Sequence, residues 1–455
     1  MRIEKLGANL YRSLFAMLTL AVIAAGLATG AQAVTYRVIH SFDGTTDGSN
    51  PYGDLVADAA GNLYGTTSTG GPRNCSSAET TCGGTVFQLS KTSTGGWTRK
   101  VLHAFAGPDG ASPQSGLVFD SAGNLYGTTF IGGVGCQSES GCGVVFKLSP
   151  TTSGGWTYSV ILQFSDSNAN GTLPTGNLIM DSAGNLYGTT LLGGNFENGG
   201  SGCGVVYELS HGARGWTETV LYTFIGHPDG CGPNGIVFDA TGNLYTTTTS
   251  GGTSSNQICS GGYGCGSVIQ LSPNSSGAFT ETVLYSFSGG SDGNLPTGSL
   301  VLDNSGNLYG VTRAGGTSIG CTWNVPGCGV VFKLSNSSGG WKQTVIHTFQ
   351  PTSSGAAGEG GGSPASNLTF DTAGNLYGTA PFGGRGNGVV FKLSPNSSGG
   401  WTESGVHAFS GGTGGELPNS GVIFDSAGNI FGTTLYGGSS TACPSRCGVV
   451  FEITP

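Results

Sequence analysis

A pentapeptide that recurs along the whole chain constrains the fold more than any other feature of the sequence. Gly-Asn-Leu-Tyr-Gly, or a close variant of it, occurs seven times, at intervals of about sixty residues. Such a repeat is typical of folds in which one supersecondary unit is copied and packed against its neighbours. The chain is therefore predicted to be a repeat protein. The copies begin at Gly61, Gly123, Gly184, Gly242, Gly306, Gly374 and Gly428.

Each copy contains four short runs that are typical of β-strands. In the second copy they are residues 116–120 (GLVFD), 124–129 (NLYGTT), 143–149 (GVVFKLS) and 156–164 (WTYSVILQF). All four are rich in β-branched and aromatic residues, and turn residues separate them. No long stretch repeats apolar residues with the 3.6-residue period of a helix. We therefore expect an all-β protein with almost no helix.

The number of units and the two ends of the repeat region favour a closed ring. Four strands in each of seven units match a seven-bladed β-propeller of four-stranded blades, and a β-solenoid is the alternative. Residues 35–42 (TYRVIHSF) align with the fourth run of a unit, and residues 448–455 (GVVFEITP) align with the third. The N-terminal strand is therefore expected to complete the blade formed by residues 421–454. Residues 34–455 are predicted to form one domain, with the GLVFD-type runs lining its central channel.

The first residues of the chain have the pattern of a secretory signal peptide. A basic start with Arg2, Lys5 and Arg12 precedes an apolar run, and Ala31-Gln32-Ala33 is a small-x-small cleavage signal. A retained membrane anchor is the alternative. We expect residues 1–33 to be removed by cleavage near Ala33, with secretion to the periplasm or the exterior and no membrane span in the mature chain.

The cysteines indicate disulfides. The chain has twelve of them, mostly as near neighbours, and an even number behind a signal peptide is typical of an oxidising compartment. Zinc is the alternative, but no pair has a second pair or a histidine at ligand spacing close by. Cys203 lacks a near neighbour, and the propeller would place it on the same face as Cys231. The predicted disulfides are Cys75–Cys82, Cys136–Cys142, Cys203–Cys231, Cys259–Cys265, Cys321–Cys328 and Cys443–Cys447.

The repeat resembles a known family. LYGTT-x-x-GG followed by a GCGVVFKLS-type strand, as in residues 125–133 and 141–149, is similar to the bacterial extracellular GloVer tandem repeat of choice-of-anchor proteins. The resemblance covers the whole mature chain. It implies an extracellular bacterial setting, but no established activity and no catalytic residues. Such proteins often end in an anchoring tail, whereas this sequence ends at Pro455 directly after a repeat strand, so we expect it to be freely secreted.

Function in a repeat ring is expected where the copies differ. Two residues before the shared Gly-Gly of each copy vary, and we expect them to ring the channel mouth. Apolar and aromatic side chains with one arginine suit a binding surface, while packing of the loops onto the blades is the alternative. The predicted ligand-binding residues are Phe130, Leu191, Arg313, Phe382 and Tyr436.

Polar residues that recur with the repeat are expected to build the fold. The Asp-x-x-Gly-Asn turns, and Asp-Gly pairs such as Asp47-Gly48, favour turn formation, with calcium binding as the alternative. The histidine position of the fourth run, held by His40 and His103, carries Leu162 or Tyr222 in other copies, which indicates packing. The tryptophans of the fourth runs are expected to lie between blades. The acids in irregular loops are Glu79, Glu139, Glu197, Glu359 and Glu416.

These features favour a non-enzymatic binding or scaffold protein that recognises an extracellular glycan or surface protein. A secreted polysaccharide hydrolase or lyase and a structural cell-surface component are the alternatives. The formal net charge of −9 argues against nucleic acid as a partner, because nucleic-acid binding requires a basic face. We expect a monomer without a cofactor or a bound metal.

Overall fold

The computed structural model describes residues 34–72, 83–136, 141–165, 169–194, 202–254, 259, 264–318, 321, 326–350, 361–384 and 386–455. The expected signal peptide, residues 1–33, lies outside the described residues. So does the predicted Cys75–Cys82 disulfide, and so do Glu79, Glu139, Glu197 and Glu359.

The described strands form seven four-stranded antiparallel sheets, which are the blades of a ring. The first strand along the chain, β1 (Thr35–Ser41), belongs to the last blade. Blade 1 contains β2 (Val56–Ala57), β3 (Leu63–Thr67), β4 (Thr85–Lys91) and β5 (Trp97–Ala104). Blade 2 contains β6 (Val118–Phe119), β7 (Leu125–Thr129), β8 (Val144–Pro150) and β9 (Trp156–Gln163). Blade 3 contains β10 (Thr172–Met180), β11 (Leu186–Leu192), β12 (Val205–Gly212) and β13 (Gly215–Thr223).

The remaining blades repeat this order. Blade 4 contains β14 (Cys231–Phe238), β15 (Leu244–Ser250), β16 (Ser267–Pro273) and β17 (Phe279–Ser286). Blade 5 contains β18 (Asn294–Leu302), β19 (Leu308–Ala314), β20 (Val330–Ser337) and β21 (Gly340–Thr348). Blade 6 contains β23 (Thr369–Phe370), β24 (Leu376–Ala380), β26 (Val389–Pro395) and β27 (Trp401–Ala408), with a short extension formed by β22 (Gly361–Gly362) and β25 (Phe382–Gly383). Blade 7 contains β28 (Ile423–Phe424), β29 (Ile430–Thr434), β30 (Val449–Thr454) and β1.

The N-terminal strand closes the ring. Strand β1 pairs antiparallel with β30, from Thr35 opposite Thr454 to Ser41 opposite Val449. The Nε of Arg37 donates to Oε2 of Glu452 over 2.6 Å. The predicted seven-bladed β-propeller, with its last blade completed by the first strand of the chain, is confirmed.

The hydrophobic core is divided among the blade junctions. The first five residues of the second strand are buried in every blade, as in Leu125–Thr129, because the strand is covered on both faces. One core cluster joins Tyr64 of blade 1 to Phe146 of blade 2, and another joins Phe42 and Phe431 of blade 7 to Phe87 of blade 1. Burial of apolar surface therefore holds each blade to the next, as expected for a repeat fold.

The tryptophans at the start of the outermost strands lie between blades, as the sequence predicts. Trp156 of blade 2 contacts Tyr64 of blade 1 edge to face, with ring centroids 6.1 Å apart. The same contact joins Trp97 to Phe431, Trp216 to Tyr126, Trp341 to Tyr245 and Trp401 to Tyr309.

The Asp-x-x-Gly-Asn segments form tight turns between the first and second strands. In blade 2, Oδ1 of Asp120 accepts hydrogen bonds from the backbone N–H groups of Ala122 and Asn124, and Oδ2 accepts from the Asn124 amide and the Tyr126 hydroxyl. The carboxylate is thus engaged in shaping its own turn. Among the described residues, the helical content is a single 3-10 turn at Gly412–Gly414, and no helix is long and apolar enough to cross a membrane.

A proline segment crosses each blade junction near one end of the ring. The residue before the shared proline has φ between +52° and +66°, and its N–H donates over 2.8–3.2 Å to the carbonyl that precedes the third-strand glycine of the preceding blade. A methyl group on that glycine would meet the proline, as at Gly143, where it would lie 2.5 Å from Cδ of Pro174. The first strand therefore enters the ring at a position fixed by its neighbour. The residues before the prolines are Asn50, Ser112, Leu173, Gly232, Leu295, Ser363 and Leu417.

Five disulfides lie within the described residues, all at the loops of one end of the ring. They join Cys136 to Cys142, Cys203 to Cys231, Cys259 to Cys265, Cys321 to Cys328 and Cys443 to Cys447. Cys203 and Cys231 have Cα atoms 4.4 Å apart, within the 7 Å that the strand order predicts. The loops between second and third strands and the loops between blades therefore share one side, here called the disulfide face. The opposite side, which carries the Asp-x-x-Gly-Asn turns, is called the turn face.

Candidate binding site at the channel mouth

A cavity of about 450 Å³ lies on the ring axis at the disulfide face. Residues from all seven blades line it. They come from the first strand of a blade or the segment that leads into it, and from the end of the second strand or the residue after it. The cavity has the size of a typical small-ligand site. We call it the channel mouth.

The first residue after each shared proline lines the channel mouth. This position is Tyr in blade 1 and an amide, threonine or alanine in the others. Tyr52 is 39% exposed and is one of few large apolar side chains that the described surface leaves open. The seven residues are Tyr52, Gln114, Thr175, Asn234, Thr297, Ala365 and Asn419.

Three of the predicted ligand-binding residues are brought together here. Phe130, Leu191 and Arg313 line the channel mouth on blades 2, 3 and 5. Each is the first of the two variable residues before the shared Gly-Gly, and Thr249 of blade 4 lines the mouth from the same position. Their role in ligand binding stays a prediction.

The other two predicted residues are placed differently. Phe382 and Tyr436 are the second residues of their variable pairs, and they pair with the segment that leads into the first strand, opposite Gly362 and Glu416. Successive residues of a strand point to opposite sides of a sheet. Neither side chain is among those that line the channel mouth.

A hydrogen-bonded network forms the floor of the channel mouth. Oδ2 of Asp54 accepts from Nδ2 of Asn177 over 2.7 Å and from Nδ2 of Asn367, and Oδ1 accepts from the N–H of Gly421 over 2.5 Å. The Asn177 oxygen in turn accepts from the N–H of Gly116 over 2.6 Å. Blades 1, 2, 3, 6 and 7 are thus tied together across the channel.

The backbone fixes the orientation of the two amides. Their oxygens accept from the N–H groups of Gly116 and Ser299, so their NH₂ groups point at Asp54. The carboxylate therefore accepts its hydrogen bonds from two side-chain amides and one backbone N–H group. The amide oxygens of Asn177 and Asn367, which could serve as calcium ligands, are turned away from the carboxylate.

The Asp-Gly pairs, for which calcium binding is the alternative, contact the outermost strands instead. Nε2 of His40 lies 2.7 Å from Oδ2 of Asp47, and Nε2 of His103 lies 3.0 Å from Oδ2 of Asp109. The hydroxyls of Tyr222 and Tyr285 donate to Asp229 and Asp292 in the same way. Among the described residues, no group of three or more His, Cys, Asp or Glu side chains is placed to hold a metal ion.

Of the five acids in irregular loops, Glu416 alone lies within the described residues. Glu416 accepts a hydrogen bond from the N–H of Gly412 over 3.2 Å and does not line the mouth. Asp54 is the only acid among the described residues that line it.

Sequence reasoning did not identify Tyr52 or the Asp54 network. Variation among the seven copies at the position after the proline, the same signal that identified Phe130, would have found Tyr52. No local pattern predicts the network, since Asp54, Asn177 and Asn367 are far apart in sequence and meet only across the closed ring.

A model of the Gloeobacter/Verrucomicrobia repeat matches the sequence over residues 28–259 and 259–455. No curated protein matches the sequence.

Solved structures of low sequence identity share the fold. An ulvan lyase of polysaccharide lyase family PL25, solved bound to -[GlcA(1-4)Rha3S]-, has 12% identity and a TM-score of 0.50, with 91% of this chain and 95% of that chain covered. The extracellular domain of BT4673 from B. thetaiotaomicron, proposed to be a one component system, has 11% identity and a TM-score of 0.50, with 93% of this chain and 42% of that chain covered. At these identities the likeness shows the fold alone.

Proposed function

The chain belongs to the Gloeobacter/Verrucomicrobia repeat family, and from this premise we propose that it is a non-enzymatic binding module that recognises an extracellular glycan through the channel mouth. The observation that carries the proposal is the cavity of about 450 Å³ to which all seven blades contribute. The variable residue after the shared proline lines the mouth in every blade, and Phe130, Leu191, Thr249 and Arg313 join it. The residues that the copies share hold the blades together.

The chemistry of the channel mouth suits a sugar. Tyr52, Phe130 and Leu191 form an apolar arc across three consecutive blades, and such an arc can pack against the apolar face of a pyranose ring. The amides of Gln114 and Asn419 line the same cavity and can pair with hydroxyl groups. Apolar walls with a few convergent polar groups are typical of ligand sites.

The distribution of exposed apolar side chains supports the disulfide face as the binding side. Among the described residues, the exposed large hydrophobic side chains are Val34, Tyr52, Val134 and Ile225. Apart from Val34, which precedes the first strand, all of them belong to loops of the disulfide face. The exposed apolar side chains of the described loops therefore lie on the side that carries the channel mouth.

The acids of the site favour binding over hydrolysis. Glycoside hydrolases require two carboxyl groups on either side of the scissile bond, whereas Asp54 stands alone among the described residues of the channel mouth and is held by three N–H donors. A hydrolase or lyase remains the alternative, and the test below distinguishes glycan binding from glycan cleavage.

We also propose that the protein acts outside the cytoplasm as a monomer. Residues 1–33 would direct secretion and be removed near Ala33, leaving residues 34–455 as one domain. The five disulfides of the described residues fit an oxidising compartment.

A glycan array probed with residues 34–455 tests the proposal. We expect a restricted set of glycans to bind, and Tyr52→Ala and Phe130→Ala to weaken that binding at least tenfold without lowering the melting temperature. Phe382→Ala and Tyr436→Ala are matched controls, because they remove rings beside the mouth without changing its lining. Binding to no glycan, or equal loss in all four variants, would contradict the proposal. New reducing ends or unsaturated products in glycans incubated with the protein would favour the enzyme.

A further inference from the structure

The channel mouth contains one basic side chain. Arg313 is the only lysine or arginine among the described residues that line it, and it is exposed. In the other six blades the equivalent position is uncharged. Those residues are Ser68, Phe130, Leu191, Thr249, Pro381 and Leu435.

The acid of the channel mouth, Asp54, has its hydrogen-bond donors within the protein. The Asp54 carboxylate accepts hydrogen bonds from Asn177, Asn367 and Gly421 at the floor of the mouth. It therefore has its donors from the protein itself. An exposed guanidinium at the rim presents planar N–H donors that match a carboxylate or a sulfate.

We propose that the glycan recognised at the channel mouth is anionic, with a carboxylate or sulfate group bound by Arg313. This inference rests on the proposed function and names the class of its ligand. Arg313 belongs to blade 5 and Tyr52 to blade 1, which are three blades apart, the greatest separation that a ring of seven allows. The ligand is therefore an oligosaccharide, one residue of which packs on the apolar arc while the charged group of another reaches Arg313.

The overall charge of the protein does not favour anionic ligands, so a preference for them must come from a local contact. With a formal net charge of −9, the protein does not attract polyanions at long range, and exposed charges are screened beyond about 10 Å at ordinary salt. Preference for an anionic sugar must then come from the guanidinium itself. Replacing Arg313 should remove the preference and leave the affinity for neutral sugars.

An array of uronate-bearing, sulfated and neutral oligosaccharides tests the proposal, followed by calorimetric titration of the best binder and its uncharged form. For a uronate the uncharged form is the methyl ester, and for a sulfate it is the desulfated sugar. We expect the charged form to bind at least tenfold more tightly, Arg313→Gln to abolish that difference, and Arg313→Lys to restore part of it. Arg214→Gln is the control, since Arg214 is exposed in the β12–β13 turn of the turn face.

The outcomes separate the two proposals. Binding of uronates alone or of sulfated sugars alone identifies the group that Arg313 binds. If only neutral glycans bind, or if Arg313→Gln keeps the preference for the charged form, the anionic ligand is wrong and the glycan-binding function stands. If no glycan of any kind binds, the proposed function itself fails.

Discussion

In six of the seven blades the second strand contains a glycine, because an aromatic ring of the third strand occupies the space that a side chain would need. In blade 2, a methyl group on Gly127 would lie 2.6 Å from Cζ of Phe146 in the third strand. Blade 4 replaces both partners, with Thr246 at the glycine position and Ile269 at the ring position, and the two face each other in the sheet. The repeat therefore keeps Gly with Phe, Gly with Tyr in blade 3, or Thr with Ile in blade 4, because the volume available to the two side chains is limited.

This pairing predicts the effect of exchanging its members. Gly127→Thr should lower the free energy of unfolding by about 1–3 kcal/mol, the usual cost of overpacking a core. The double variant Gly127→Thr/Phe146→Ile copies blade 4 and should regain most of that loss. Urea unfolding of the parent, the single variant and the double variant measures both effects. A double variant less stable than the single one would show that the glycine serves some other purpose.

Glu218 is a largely buried acid of the outermost strand of blade 3. It lies in β13, where Oε2 accepts from Asn170 over 2.8 Å, while Oε1 is buried without a hydrogen-bond partner among the described residues. Burial raises the pKa of Glu218 from its ordinary value of 4.5 to about 7. Because the folded state binds this proton more tightly than the unfolded state, the residue costs no stability below pH 4.5 and costs progressively more as the pH rises to 7.

Glu218→Gln should therefore stabilise the protein in a pH-dependent manner. We expect the variant and the parent to melt at similar temperatures at pH 4, and the variant to melt at a higher temperature at pH 8. Differential scanning calorimetry at the two pH values gives the comparison. A difference in melting temperature that is the same at both would contradict the buried, easily protonated carboxyl.

At the level of strands, the repeat alone predicts most of what is observed. The four runs of each copy become the four strands of a blade, and their order from the channel outward follows from their order in sequence. The pattern could not predict the contacts between an Asp-Gly loop and a neighbouring side chain, such as His40 with Asp47. Leucine at the histidine position of one copy indicates packing. Where the position holds histidine or tyrosine and the loop holds aspartate, the two side chains also form a hydrogen bond, which is seen only in the folded structure.

The N-terminal strand is the element on which closure depends. Deleting residues 34–42 removes β1, exposes the edge of β30 and takes Phe42 from the junction between blades 7 and 1. We expect a marked fall in melting temperature or aggregation, since an open strand edge invites pairing with other chains. Arg37→Lys is the control, because it keeps the strand and a cation opposite Glu452, whose carboxylate is buried. It should melt close to the parent. A deletion variant that melts like the parent would show that closure does not depend on this strand.

At the scale of the whole molecule, shared residues and variable residues have separate places. The shared prolines, glycines and aromatic rings bind each blade to the next, while the channel mouth is lined by the variable residue after each proline and by four of the variable residues before the Gly-Gly. Phe130, Leu191 and Arg313 could be found from the sequence because their neighbours repeat and they do not. The Asp54 network could not be found, because it depends on closure of the ring. Phe382 and Tyr436 also vary among the copies, but they are the second residues of their pairs and do not line the mouth.

The crystal structure of the protein with its best-binding oligosaccharide tests the central claim most directly. We expect density for the sugar in the channel mouth, with one ring against Tyr52 and Phe130 and a polar group directed to Arg313. A groove of about 590 Å³ between blades 5 and 6 on the turn face, beside Trp401 and Phe370, offers the clearest competing location. Density in that groove, or anywhere other than the channel mouth, would contradict the account.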